Sequence, residues 1–456
     1  MKPSLTPLNR TVLSIAAPAV VELVLTSATS FADTIMVGKL GAYAISAVGL
    51  TTQPRFIMLA TFIALNVGTT ALVARFKGQG NRKDAELVTA QSIILALLMA
   101  IVLTIPGVLF ARRMVIFMGA NADTLEAASD YFRILMMGFV PTVLPIAISS
   151  LLRGVGDTKT SMRYNLIANV VNIIFNYFLI YGKFGFPRLG VRGAAIATVI
   201  GNCAGCAMAF HAVLGKPLNR KARDSFAFIR LRLTREHCMP NLPILKRIFR
   251  IGLPSAAEQI VMRTGLLIYT ITITALGTSV FAAHQIALTI LNLSFVIGQA
   301  FGIAGTTLTG QALGRGDPEE AKAASAACQR TGAFISTGMG ILMFIFRREL
   351  MQMFTAEPEI IALGAGVMIL AAIIQPFQSS FQIYAGSLRG AGDSLYPAIS
   401  MAIGILGIRP LLSYLLIHVM GWGLFGAWLA LVFDQIGRFT FILIRYRKGK
   451  WLHTKV

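Results

Sequence analysis

The hexapeptide Leu152-Arg153-Gly154-Val155-Gly156-Asp157 returns in the second half of the chain as Leu388-Arg389-Gly390-Ala391-Gly392-Asp393. The same interval separates Pro18 from Pro254, Glu22 from Glu258, Leu40-Gly41 from Leu276-Gly277, and Gly78-x-Gly80 from Gly314-x-Gly316. Arg112-Arg113 answers Arg347-Arg348 at nearly that spacing. Matches spread over the whole chain at one offset mark an internal duplication, so the two halves are expected to share one fold.

The surroundings of those repeats decide what kind of fold it is. Of the 456 residues, 55% are hydrophobic and only 13% charged, with a mean hydropathy of +0.71. One soluble core cannot bury that much oily surface, so the solvent is a bilayer. Apolar runs of about twenty residues or more, the length that crosses a bilayer, are read near residues 12–32, 43–74, 88–110, 128–151, 164–182 and 191–214. Six more follow near 251–275, 280–308, 325–346, 361–388, 397–419 and 423–444. Six spans per copy give both copies the same orientation, related by an axis along the membrane normal. The predicted fold is an all-α integral membrane protein with 12 transmembrane helices in two pseudo-symmetric six-helix lobes, a parallel repeat. Its expected divisions are an N-lobe at 1–214, a basic linker at 215–250, a C-lobe at 251–444 and a basic tail at 445–456.

The net charge of +22 would point to nucleic acid in a soluble protein, but these basic residues lie between the apolar runs. Lys216, Arg220, Lys221, Arg223, Arg230, Arg232, Lys246, Arg247 and Arg250 fill the central linker, and Arg445, Arg447, Lys448 and Lys450 crowd the C-terminus. That is the positive-inside pattern, which sets both termini and the linker on the cytoplasmic side of the inner membrane and leaves no nucleic-acid partner to expect. Only Arg55 and Arg263 are read as cations well inside the spans. The four cysteines show no disulfide or zinc spacing beyond one Cys203-x-x-Cys206, and read as small packing residues. The run that follows Arg10 is too long for a signal peptide and is expected to remain in the mature chain.

Asp33-Thr34-Ile35-Met36-Val37-Gly38 at the end of the first span, Gly252-x-Pro254-x-x-x-Glu258 opening the seventh, and the two Leu-Arg-Gly-x-Gly-Asp turns together resemble the multidrug and toxic compound extrusion family. The resemblance covers essentially the whole chain. It implies two lobes forming a V, a cavity open alternately to each side, and export of small organic cations by a monomer in exchange for Na+ or H+, with no other cofactor. It implies further that Asp33 binds or releases the coupling ion and that Thr198 belongs to the same site.

The residues themselves add physical reasons. A carboxylate at membrane depth costs about 2.5 to 3.5 kcal/mol even on the lenient insertion scale, so Asp33 is expected to be used. Asn172 and Asn176 stand four apart on the fifth span, so both amides share a helix face and can meet Asp33. A carboxylate with amide carbonyls suits a hard cation such as Na+, although Asn and Thr also serve as ordinary interhelical glue. Pro18 and Pro254 loosen their helices and read as hinges. Glu258, with Asp434, forms a candidate second acidic site for ion or substrate, Arg438 being a possible partner for Asp434 one turn on. Glu22 is expected to pair with an intramembrane arginine such as Arg55. The bacterial NorM-like pattern has an aspartate in the tenth span where this chain reads Gln378-Ser379-Ser380-Phe381-Gln382, which shifts weight from the C-lobe to Asp33.

The Arg-Gly-x-Gly-Asp turns lack the Lys-Ser/Thr of a phosphate loop, and tight-turn chemistry with loop charge accounts for them. His284 lies alone in an apolar run and reads as packing. No Ser/His/Asp set or His-Glu-x-x-His motif appears, so no enzyme is expected. The runner-up is a flippase for lipid-linked precursors, which would call for a basic cavity lining.

Overall fold

The computed structural model describes residues 7–214, 226–232 and 234–454. The rest of the expected linker, 215–225 and 233, and the end of the expected tail lie outside the described residues. The first repeat runs α1 Pro7–Gly38, α2 Ala42–Gln79, α3 Arg82–Leu109, α4 Ala111–Phe117, α5 Ala122–Met137, α6 Phe139–Gly154, α7 Thr158–Tyr181 and α8 Gly190–Leu214. The second runs α9 Leu242–Thr274, α10 Thr278–Gly314, α11 Pro318–Ile345, α12 Arg347–Gln352 and α13 Pro358–Gly390. It closes with α14, Leu395–Val419, and α15, Gly423–Arg447. Helix boundaries recur at the interval read from the sequence: the end of α1 at Gly38 answers that of α9 at Thr274, and the starts of α2, α3 and α4 answer those of α10, α11 and α12. This is the expected all-α, twelve-span duplication, with α5 and α6 forming one span bent by 51°. The bend falls at Gly138, where a Cβ would lie 2.3 Å from Val199 Cγ2 of α8.

Among the described residues nine helices are long and apolar enough to cross a membrane, ten with the bent pair. The two that fall short are α9 and α11, long enough but diluted by Glu258, Gln259 and Arg263 in one and by Gln329 and Arg330 in the other. Polar residues in a span mark interior faces rather than lipid faces.

The described residues form two compact units, one of 21–249 and the other of 1–20 with 250–456. The division cuts α1 and α9 rather than the loops. In the second of these units, Val12, Ile15 and Ala16 pack with Phe301, Ala304, Leu308 and Cys328. In the first, Gly68 on α2 takes the backbone of Ile248 so closely that a Cβ would meet its carbonyl oxygen at 2.2 Å. Val12 and Ile248 are themselves repeat partners, as are Gly68 and Ala304. Each unit thus includes the opening turns of the other repeat's first helix.

The described part of the linker packs on α3. Gln91 donates to the carbonyls of His237 and Met239, each at 2.7 Å, and accepts from the Asn241 amide at 3.2 Å. Arg232 pairs with Glu86 at 3.2 Å.

Candidate functional site

The close approach of α7 and α8 sets the site. Gly193, Ala197, Gly201 and Gly205 follow one another at four-residue steps on α8 and remove the bulk between the helices, as small residues do at membrane helix contacts. A Cβ on Gly193 would lie 2.5 Å from the Leu179 carbonyl oxygen, and one on Gly201 would lie 2.9 Å from Asn172 Cβ. Thr198 is thereby brought to Asn172, their polar atoms 3.2 Å apart.

Helix α1 lies on α7 in register. Glu22 and Asp33 are eleven residues apart, three turns, and so are their partners Asn165 and Asn176. Asn165 donates to Glu22 at 2.9 Å and Asn176 donates to Asp33 Oδ1 at 2.5 Å. Tyr181 fastens the end of α1 by donating to the Met36 carbonyl at 2.9 Å. Asn172 completes the group: with its amide nitrogen turned to the carboxylate it donates to Asp33 Oδ1 at 3.0 Å and accepts from Thr198 Oγ1 at 3.2 Å. Asn172 and Asn176 are buried, whereas Asp33 is half-buried. The carbonyl oxygen of Asn176 is buried without a hydrogen-bond partner among the described residues, an unsatisfied acceptor of the kind that is rare unless something visits it. Arg55 and Tyr131 lie within electrostatic reach of Asp33. Asp33, Asn172, Asn176 and Thr198, singled out from the sequence, therefore meet. A carboxylate, one free amide oxygen and a hydroxyl are a donor set that fits a small hard cation.

The partner of Glu22 differs from the expected Arg55. Arg153 Nη2 sits 2.8 Å from Glu22 Oε1, and Ser161 donates to Oε2 at 3.0 Å. The second repeat builds the same pair, with Arg389 Nη2 at 2.7 and 2.6 Å from the two oxygens of Glu258. Both pairs bridge the same length of chain, and each lies beside the proline four residues before its glutamate, Pro18 or Pro254. The Leu-Arg-Gly-x-Gly-Asp motif thus does more than turn the chain. Its arginine reaches back to the first helix of its own repeat. Its first glycine lets the span lie close against the second helix of the repeat, since a Cβ on Gly154 or Gly390 would meet the carbonyl of Thr70 at 2.9 Å or of Thr306 at 2.2 Å. Its second glycine adopts φ of 81° at Gly156 and 89° at Gly392, closing the helix in the left-handed region that glycine tolerates. Asp157 then caps α7, accepting from the Thr160 amide at 3.2 Å, while Asp393 pairs with Arg445 at 2.8 Å.

Asp434 is fully buried between two arginines. It accepts from Arg409 Nε at 3.0 Å and from Arg438 Nη2 at 3.0 Å. Glu258 and Asp434 are therefore each held by arginine, and Arg263 is not the only cation inside the second repeat's spans. Arg409 and Arg438 are both buried near the middle of theirs; Arg438 is the partner of Asp434 that the sequence pointed to, whereas Arg409 was not foreseen.

Comparison with known proteins agrees with this architecture. The MatE family pattern matches residues 18–178 and again 254–415. The chain belongs to the MatE family. The two MatE matches begin on the repeat partners Pro18 and Pro254, so the family pattern falls once on each copy of the duplication. A curated relative, the probable multidrug resistance protein NorM of Thermotoga maritima, is 30% identical over 97% of this chain and 93% of its own length. The multidrug resistance protein MdtK of Proteus mirabilis is 27% identical over 88% of this chain and 86% of its own. A solved structure described as the outward-facing conformation of a multidrug resistance MATE family transporter shares 22% identity, covers 98% of this chain and 96% of that one, and superposes with a TM-score of 0.89. This MatE protein is thus a multi-pass membrane transporter with twelve helices in two lobes, and not an enzyme.

Proposed function

We propose that the chain is a secondary antiporter that exports small organic compounds, cations among them, in exchange for Na+ or H+ by alternating access. The named activity of the multidrug resistance relatives supports the export half of this reading. The coupling half rests on one observation: the buried, unpartnered Asn176 oxygen lies on the residue that already holds Asp33. An incoming Na+ would take Asp33, that oxygen, Asn172 and Thr198; an incoming proton would neutralise Asp33 and release the Asn176 amide. Either event changes the contacts that fix the end of α1, and Pro18 supplies a point at which that helix bends, as Pro254 does for α9. By linkage, ion binding and cargo affinity change each other reciprocally. Glu258 and Asp434 have their carboxylates occupied by arginine, so the coupling role is assigned to Asp33. No cofactor beyond the coupling ion is proposed. A monomer in a bacterial inner membrane with both termini cytoplasmic fits the basic linker and tail.

The test is dye export from vesicles under separately imposed Na+ and proton gradients. Asp33→Asn should abolish export driven by whichever gradient serves the wild type, and wild-type rates in that variant would overturn the coupling assignment. Buried Arg409 and Arg438 favour one second reading, a flippase for lipid-linked precursors. Gradient-driven export of a water-soluble dye by the wild type would dismiss it.

A further inference from the structure

The second repeat carries, at the place of the Asp33 site, a constellation of opposite charge. The interval that joins Pro18 to Pro254 and Glu22 to Glu258 also joins Asp33 to Tyr269. Between α7 and α14 the interval lengthens by one, so that Asn176-Tyr177-Phe178-Leu179-Ile180 answers Ser413-Tyr414-Leu415-Leu416-Ile417. The extra residue falls in Ile403–Ile408, which is a π-helical turn, the wider winding a helix adopts locally, often at functional sites. It brings Arg409 to the place of Asn172 and Ser413 to the place of Asn176. On α15, Gly423-x-x-Gly426-Ala427 answers Gly190-x-x-Gly193-Ala194 at a slightly shorter interval, which puts Asp434 where Gly201 stands.

The contacts bear out this register. Gly201 faces Asn172 and the carbonyl of Ala168, while Asp434 bonds Arg409 and faces Gly404, the repeat partner of Ala168. Asn172, with its amide nitrogen turned to the carboxylate, bonds Asp33, and correspondingly the Arg409 guanidinium lies 5.3 Å from the Tyr269 ring centroid. Carboxylate and amides in the first repeat have become phenol, guanidinium and hydroxyl in the second.

The charges do not balance. Asp434 offers one negative charge to Arg409 and Arg438, and the other carboxylate in reach of Arg438, Glu258, is already taken by Arg389. Three groups around Arg409 still have hydrogens to give. Arg409 itself reaches Asp434 through Nε and Nη2, leaving Nη1 outside the clamp. Trp428 Nε1 donates to His284 Nδ1 at 3.1 Å, so His284 carries its proton on Nε2, which is buried and has no acceptor among the described residues. Arg409 lies within electrostatic reach of that histidine. The buried Ser413 hydroxyl also lacks a partner among the described residues. Surplus positive charge and unanswered donors in a low-dielectric interior are compensated by an acidic group.

We propose that Arg409, with His284 and Ser413, forms an anion site that takes the carboxylate or phosphate group of the transported molecule. This rests on the transporter reading above and narrows the cargo to compounds that bear an acid. Arg438 is a positioning residue, holding Asp434 so that Arg409 presents Nη1.

The experiment is equilibrium binding to the purified full-length protein, using one xanthene dye as its free carboxylate and as its methyl ester. The wild type should bind the free acid at least about tenfold more tightly, the size expected of a charge-assisted hydrogen bond. Arg409→Gln should reduce that preference to within about twofold, and His284→Phe should cut it at least about threefold. A wild type that binds both forms equally or prefers the ester overturns the proposal, as does an Arg409→Gln protein that keeps the preference. If Arg409→Gln does not fold, the wild type and His284→Phe decide. Export of both dyes from vesicles, run in parallel, separates the two readings: preference without export refutes the transporter, and export without preference refutes the anion site.

Discussion

Glu258→Gln should destabilise this protein more than Glu22→Gln, although the two glutamates are repeat partners. Both oxygens of Glu258 bind Arg389, whose side chain is 16% exposed. Glutamine leaves that guanidinium with its charge uncompensated. Breaking a buried pair in this way costs about 3 to 5 kcal/mol, and the partial exposure of Arg389 puts the expectation at the lower end, ~3 kcal/mol. Glu22 also accepts from Ser161 and Asn165, and its arginine is 25% exposed. Glutamine at 22 keeps an acceptor for those neutral donors, each worth about 1 kcal/mol, so a loss of ~1 to 2 kcal/mol is expected. The assay is reversible unfolding in detergent micelles, followed by the fluorescence of the three tryptophans. Glu258→Leu with Arg389→Met removes both charges and should recover at least half the single-variant loss. Equal losses for the two glutamine variants, or a double variant as unstable as the sum of its singles, would refute the view that arginine pairing is what these glutamates do.

Other outcomes follow from the same geometry. Gly390→Ala, which would place a Cβ 2.2 Å from a backbone oxygen, should cost more than Gly154→Ala, at 2.9 Å; overpacking of this kind typically costs about 1 to 3 kcal/mol, and the same unfolding assay ranks them. Deleting Leu406 should turn the π winding into the regular α-helix of α7 and leave Arg409 in the place of Asn172, so the acid preference in dye binding should stay within about twofold. Asn176→Leu removes the unpartnered oxygen and the amide on Asp33; Na+ or proton dependence of export should fall at least about tenfold, as for loss of a charge-assisted contact, while dye binding without a gradient stays within about twofold. Gly201→Leu should separate α7 from α8 and give the same loss of ion dependence, measured in vesicles.

Much of this was legible in the sequence because a duplication reports itself. Repeated glycines, prolines and arginines fixed the interval, and apolar length fixed the number of spans. The Asp33 site was legible because Asn172 and Asn176 lie four apart on one helix, where spacing alone implies a shared face. The partner of Glu22 was not, since Arg153 is far away in sequence and sits in a motif whose glycines suggest only a turn. The matching pairs could have been found by asking which arginine recurs at the interval of the glutamates. Arg409 escaped notice for a different reason: it follows an apolar run whose winding no periodicity reveals, while Arg438 was read as the local partner of Asp434, which it is. Two spans, α9 and α11, are diluted by polar residues, with Glu258 of α9 buried, so composition understates their membrane character.

The π-helical turn in α14 separates the two halves by an insertion, not by a substitution. Because the wider turn absorbs the added residue, the side chains downstream keep the facing of their partners in the first half. Point changes at Tyr269, Arg409, Ser413 and Asp434 are then enough to exchange the chemistry of the two halves. Mutational libraries built from single replacements can reach it, and no codon has to be lost.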